Sequence, residues 1–404
     1  MCLFSLPPEL ILLVAGNLNS PKDLLGFLLT SPKFYNLLIN ELYQKNVRSD
    51  GGSALLWYAS RGDELGVQNM LRAGANVNLR SSNRAQLTAL LEAVKHKHTS
   101  VVQILLKSWA FPDAADARSR RPLALATNGR SDVAITRLLL ENGARADSVV
   151  FDKHAPLLEA VRSSQESKVA LLLKHGADTH ILDRRTGMNL VHIAASKNAT
   201  SGIINILIDS GIQLESQDGM GRTPLQVAAE NSCTRAVHLL LHLGANPNFK
   251  NMNQYWEGWS ALFYAAKNPR SPGNGNKSII RALVIHGAEL DTKNQAHKTP
   301  LLYAISQSAT KQAQALVECG ANIMARDANG ETVLHLAASS SSWSPSMMDW
   351  LVENGADANW AGGQRNETPI FYAIRKLNIR QGVECIQSLL SPGADVQFRN
   401  IVMM

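Results

Sequence analysis

A chain of 404 residues with 45% hydrophobic content is not mostly disordered, and its length allows two or more domains. The net charge of +7, from 40 basic against 33 acidic residues with no block of five like charges, is too dilute to predict a nucleic-acid partner. Cys2, Cys233, Cys319 and Cys385 stand far apart without a CxxC pair, so neither a disulfide framework nor a zinc knuckle is expected, and a reducing compartment fits.

The first apolar stretch is "LPPELILLVAGNL", residues 6 to 18. No Lys or Arg precedes Pro7-Pro8-Glu9, the first positive charge is Lys22, and no small-residue cleavage site follows, so it does not read as an export leader. A spanning helix needs ~20 apolar residues, which no segment supplies. The expectation is an intracellular protein, cytoplasmic or nuclear, with no membrane partner. Pro7-Pro8-Glu9 opens a helix carrying Leu10, Leu13 and Val14; "NSPKDLLGFLL" starts a second at Asp23; "SPKFYNLLINELYQKNV" supplies a third with Phe34, Leu37, Leu38 and Leu42. Residues 1–48 thus form a small three-helix domain whose core is too small to stand comfortably alone.

Residues 49–404 repeat. "GRTPLQVAAE" at 221–230 returns as "HKTPLLYAIS", "GETVLHLAAS", "NETPIFYAIR" and "GMNLVHIAAS", with weaker copies elsewhere. The register residues are Ser53, Thr88, Arg121, Ala155, Asn189, Thr223, Ser260, Thr299, Thr332 and Thr368, at steps of 33 to 39, which predicts about ten units. Thr, Ser or Asn at this position caps a first helix, and Pro224, Pro300 and Pro369 occupy its first turn. A second helix with apolar residues three and four apart follows. Gly74, Gly143, Gly176, Gly211, Gly244, Gly287, Gly320, Gly355 and Gly393 fall just past its end, where a left-handed residue closes it. Helices this short need neighbours on which to bury their apolar faces. The pattern weakens at Arg121 and Ala155, at "KSWAFPDAAD", which lacks its glycine, and at Pro392.

Two insertions interrupt the period. "FKNMNQYWEGWS" lengthens one inter-repeat finger and gathers Tyr255, Trp256 and Trp259, either as an exposed aromatic anchor for a partner or folded back over the enlarged loop of repeat seven. "PRSPGNGNKSII" lacks the second glycine and upstream strand of a phosphate loop and reads as a connector. His238 and His242, one turn apart, have no third ligand. No Ser/His/Asp, Cys/His or metal constellation stands out, so no catalytic, cofactor or metal residue is identified.

The T-P-L-x-x-A-A helix followed by L-L-x-x-G-A-[DN] resembles the ankyrin repeat over about seven eighths of the chain. The resemblance implies an all-α solenoid. It gives His192 and His335 a structural hydrogen bond between repeats. It also places Arg184, Arg185, Lys197, Arg222, Lys267, Lys298, Arg326, Arg365, Arg375 and Lys376 toward a groove, against Glu230, Glu331 and Glu367. Such a groove is net positive and suits an acidic protein client.

LP-x-EL with Leu13 and Leu18, then Asp23-Leu24, then T-S-x-K-F at Thr30 to Phe34, is similar to the F-box, and the combination resembles fungal F-box proteins carrying ankyrin repeats. That resemblance implies docking on a Skp-type adaptor, and through it a cullin ubiquitin ligase, by Leu6, Pro7, Pro8, Leu10, Ile11, Val14 and Leu18, with Asp23, Leu24 and Leu28 in support. A helical cap shielding the first repeat, in a scaffold outside any ligase, is the competing reading, and an enzyme with its site in the groove is a third.

Overall fold

The structure is a computed structural model that describes residues 40, 43–49, 51–127, 133–147, 155–197, 199, 201–267, 275–339, 345–376, 386–387 and 389–390. The predicted adaptor contacts Leu6, Pro7, Pro8, Leu10, Ile11, Val14, Leu18 and Leu24 lie outside these residues, as do Gly393 and the first half of the predicted connector, residues 269–274, whereas its second half is helical. Residues 43–49 are helical, at the end of the third predicted helix.

The chain divides into two compact units, Met1–Asp178 and Thr179–Met404. After the helical residues 43–49, the described residues of the first form four helix pairs: α1 Ala54–Arg61 with α2 Glu64–Arg72, α3 Ala89–Lys95 with α4 Thr99–Lys107, α5 Pro122–Thr127 with α6 Val133–Glu141, and α7 Pro156–Arg162 with α8 Glu166–Lys174. The second holds α9 Leu190–Ser196 with α10 Ser201–Asp209, α11 Pro224–Glu230 with α12 Thr234–His242, and α13 Ala261–Lys267 with α14 Gly275–Ile285. It continues through α15 Pro300–Ser306 with α16 Thr310–Glu318, α17 Val333–Ala338 with α18 Pro345–Glu353, and α19 Pro369–Lys376. Within each unit the odd-numbered helices pack side by side as one layer and the even-numbered helices as another. Among the described residues there is no strand, only the isolated bridges Arg80 to Thr88 and Gly362 to Glu367.

The caps follow the sequence at four register positions, while the Ser260 and Thr368 hydroxyls are buried without a hydrogen-bond partner. Thr88, Asn189, Thr223 and Thr299 accept from the backbone N–H three residues on, at 3.3, 3.0, 3.4 and 3.3 Å. Ser53 does not cap: its backbone is already helical, and Asn46 Oδ1, from the preceding helix, accepts from Ala54 N–H at 3.2 Å instead. The expected glycines close the second helices in the left-handed region, from Gly74 at φ +91° to Gly355 at φ +98°. Trp109 takes that place in repeat two at φ +66°. The first helices also stop on a left-handed residue, at Gly62, Lys97, Ser164, Ser232 and Ser308, a signal the glycine pattern does not carry.

Small residues let the layers approach. Ala59, Ala93, Ala160, Ala194, Ala228, Ala265, Ala304 and Ala373 are wholly buried, and aliphatic residues such as Leu105, Leu139, Leu172, Leu207, Leu240, Leu283 and Leu316 fill the space between layers. One core position is unexpected. Lys168, aligned with Val101, Ile135 and Ile203, is fully buried, and its Nζ donates to the carbonyl of Ala126 at the C-terminal end of α5, at 3.1 Å.

Adjacent repeats in the second unit are also joined by polar side chains at the third position of a first helix. His192 Nε2 donates to the Arg222 carbonyl at 2.8 Å, and His335 Nε2 to the Glu367 carbonyl at 2.9 Å, while Thr332 N–H donates to His335 Nδ1. Gln226 does the same work in repeat six: its Oε1 accepts from Thr223 N–H, and its Nε2 donates to the Phe249 and Trp259 carbonyls at 2.8 and 3.1 Å. Burial holds both imidazoles below their ordinary value of 6.5, so the native state keeps them neutral while the unfolded chain takes up protons below that value. Their contribution to stability is complete above pH 6.5 and is lost as pH falls toward the depressed native values, by up to ~1.4 kcal/mol per pH unit for each histidine. Urea titrations at pH 7.5 and 5.5 should therefore show a smaller acid loss for His335→Gln, which keeps the bridge as Gln226 does, than for wild type. Equal losses would remove His335 from the acid response.

Candidate protein-binding surface

The fingers that precede each first helix are built from side chains closing on their own backbone. Asp116 Oδ1 accepts from Arg118 and Arg120 N–H, Asp218 Oδ1 from Met220 and Arg222 N–H, and Asp327 Oδ1 from Asn329 and Glu331 N–H. Asp183 does so with Arg185 and Thr186. The short polar residue two to four positions before each finger tip ends thus fixes where the next side chains stand.

That frame consumes some of the charge predicted for binding. Arg222 is 8% exposed; its Nε and Nη2 donate to Asp218 Oδ2 at 2.9 and 2.6 Å, and Nη1 pairs with Glu230. Lys267 Nζ donates to the other Glu230 oxygen at 2.7 Å and lies 4.3 Å from the ring centre of Trp256. Arg222 and Lys267 are therefore cross-links between repeats six and seven. The two remaining acidic groove residues are engaged too: Glu331 accepts from the Tyr372 hydroxyl at 2.7 Å, and Glu367 pairs with Arg375 at 3.0 Å.

The long finger separates its aromatics. Trp259 is 5% exposed and packs against Trp256, Phe263, Tyr264 and Tyr303, at centroid distances of 4.7 to 5.4 Å, so it is a core residue of repeats seven and eight and not a projecting anchor. Asn251 Nδ2 donates to the Tyr264 hydroxyl at 2.8 Å, and burial raises the Tyr264 phenol well above its ordinary range, so it stays neutral. Trp256 is half-buried over Lys267, whereas Tyr255 is 76% exposed beside exposed Met252.

Five other predicted cations remain at or near the surface. Arg184 and Arg185 are exposed on the finger of repeat five, Lys298 is half-buried, and Arg365 is exposed. Arg326 is exposed and stacks its guanidinium 3.3 Å from the ring centre of Trp360, which preorganises it. Two residues escaped the sequence reading. Lys250 and Lys293 immediately precede the turn residues Asn251 and Asn294, as Arg326 precedes Asp327; all three are exposed, and none forms an ion pair with a described residue. Aligning the turn residues instead of the caps would have revealed this row. Among the described residues no cluster of three His, Cys, Asp or Glu side chains is placed to hold a metal ion, and no helix is long and apolar enough to cross a membrane.

The ankyrin-repeat family model matches residues 157–251, 244–327 and 313–400, and the single-repeat model matches 86–117. Among curated relatives, the B-cell lymphoma 3 protein homolog of Mus musculus is 27% identical over 237 residues, covering 57% of this chain and 50% of that protein. Ankyrin repeat protein nuc-2 of Neurospora crassa is 36% identical over 129 residues, covering 32% of this chain and 12% of that protein. The crystal structure of the ankyrin repeat domain of Bcl-3 aligns at 25% identity with a TM-score of 0.47, covering 58% of this chain and 98% of that one. The chain spans half or less of the length of these curated relatives.

The different placements of Trp259 and Tyr255 give a direct check. Trp259→Ala should lower unfolding free energy by about 3–5 kcal/mol, and Tyr255→Ala by less than ~0.5 kcal/mol, in urea titrations. Comparable losses would mean that the finger is not anchored through Trp259.

Proposed function

The chain belongs to the ankyrin-repeat family, whose models match more than half of it, and from that premise we propose that it is the client-recognition subunit of a Skp-cullin-F-box ubiquitin ligase. Ankyrin repeats make it a protein-interaction scaffold. In this reading residues 1–48 dock on a Skp-type adaptor that brings a cullin, through the apolar set from Leu6 to Leu24, and the repeats hold the client.

The observation that carries the client half is the row Lys250, Lys293 and Arg326. These cations occupy equivalent places on three successive fingers, while the acidic residues of the groove are engaged within the fold. A row of one sign spaced by the repeat favours an extended acidic segment, and desolvated or stacked cations such as Arg326 add specificity to attraction that is otherwise screened by salt. Tyr255 and Met252 beside the row add an apolar contact. The ligase half rests on the order and spacing of the amino-terminal motif alone.

Two measurements test the halves separately. A purified Skp-type adaptor should be retained by wild-type protein and lost with Leu10→Asp/Leu18→Asp; no retention in either sample rules out the ligase and leaves a regulatory scaffold. A fluorescent decaglutamate probe should bind wild type in a salt-sensitive manner, and Lys250→Glu/Lys293→Glu/Arg326→Glu should weaken it by about tenfold or more. Unchanged affinity would end the acidic-client reading.

A further inference from the structure

In the first unit, repeat two carries two large aromatic residues at positions where the fold favours small or polar ones. Trp109 holds the left-handed place that Gly74, Gly143 and Gly176 hold in the neighbouring repeats, at φ +66°, and is 86% exposed. Phe111, two residues on, is 65% exposed and replaces the turn residue seen at Asn76, Asn246, Asn322 and Asp357. Each of those accepts from the backbone N–H two residues on, at 2.8 to 3.0 Å, a bond that phenylalanine cannot make.

The backbone here does not call for either ring. Asn78 Nδ2 donates to the Trp109 carbonyl at 3.3 Å and its Oδ1 accepts from Phe111 N–H at 2.8 Å; Asn248 holds Gly287 and Glu289 by the same pair of bonds. The path is thus the ordinary path of the repeat, firmly held, with only its side chains changed. Both changes work against local stability, and both put aromatic surface into water, so what they serve lies outside the fold.

The surroundings select the partner's charge. Lys107 is exposed at the end of α4, two residues before Trp109. Asp113 accepts from the backbone N–H and Nε of Arg145, and Arg145 in turn lines a depression of about 640 Å³ shared with Arg121 and His175. Asp113 is held by Arg145 and Asp147 accepts from the Asp178 N–H at 2.7 Å, while Glu141 is exposed at the end of α6. Lys107 and Arg121 pair with no described carboxylate, so the exposed rings stand near cations that the fold does not engage.

We propose that Trp109 and Phe111 form a second docking surface, distinct from the finger row, that takes an acidic segment bearing one bulky apolar side chain. The rings cover the apolar side chain, and Lys107 with the Arg121 and Arg145 depression meets the flanking carboxylates. The surface lies in repeats two to four and does not depend on the acidic-client reading of the fingers.

The test uses substitutions that restore the repeat pattern, so a folding defect cannot imitate the result. Full-length protein labelled with 5-fluorotryptophan, with the Trp109 resonance assigned by its loss in Trp109→Gly, is titrated with three twelve-residue peptides: Leu-Trp flanked by Asp and Glu, the same pair flanked by Lys, and Ser-Ser flanked by Asp and Glu. The first peptide should shift the Trp109 resonance, and the other two should not. In the Lys250→Glu/Lys293→Glu/Arg326→Glu background, which removes the finger row, the first peptide should still shift the Trp109 resonance, and adding Trp109→Gly/Phe111→Asn should weaken its binding at least about tenfold. Trp109→Gly/Phe111→Asn alone should melt about 2 °C or more above wild type. No shift, an equal shift with the Lys-flanked peptide, or full affinity after the two aromatic substitutions are added to that background overturns the proposal. So does self-association or binding to anionic vesicles that the double variant abolishes, because either assigns the rings to a different occupant.

Discussion

No helix described here exceeds eleven residues, and most of the first helices have six to eight, too few to persist in water by themselves. Each repeat is therefore stable only as far as its neighbours cover it. In three first helices of the second unit this dependence has a specific atomic form: Gln226 and His335 accept from the backbone N–H at their own helix start, the His192 ring meets its cap residue Asn189, and each side chain reaches a carbonyl of the next repeat's finger. Capping and stacking are thus a single event. A buried carbonyl left without that donor would carry a desolvation cost of about 1–3 kcal/mol, comparable with the gain from a buried aliphatic side chain.

The same economy governs charge. Arg222 reads from sequence as a free groove cation, yet its position after Asp218 and eight residues before Glu230 makes it the centre of a buried ion cluster, extended by Lys267 to the face of Trp256. The cluster ties repeats six and seven where the long finger would otherwise loosen them. In the proposed reading, what remains for recognition is the set of cations that the frame does not hold, and among these Lys250, Lys293 and Arg326 fall one step ahead of a turn residue. That set is smaller than the count of Lys and Arg suggests.

Much of the fold was legible in the sequence because its signals are local and repeat. The Thr-Pro starts and the glycines after the second helices mark the ends of the units, and the structure places Thr223 and Thr299 as caps and the described glycines as left-handed stops. What stayed hidden depends on contacts across the chain. Asn46 displaces Ser53 as the cap because a preceding helix brings it there, and Ser164 and Ser232 take positive φ because the next helix must begin at once. Lys168 occupies an aliphatic position because a helix end lies above it. Among the site residues, Tyr255 stayed exposed and Trp259 went inside, although they are four apart in one polar loop; only the rings of Phe263 and Tyr303, contributed by two different helices, distinguish them.

Coupling between neighbouring repeats is the claim on which the remainder stands, and native-state amide exchange in a Gln226→Leu variant reads it most directly. Leucine preserves α11 and its burial but removes the donor to the Phe249 and Trp259 carbonyls. Exchange should speed by about tenfold or more at Asn251 and Gly258, whose N–H groups close the next finger, while Asn231 at the end of α11 keeps its protection. Loss of protection confined to α11, or spread evenly over both units, would contradict the account.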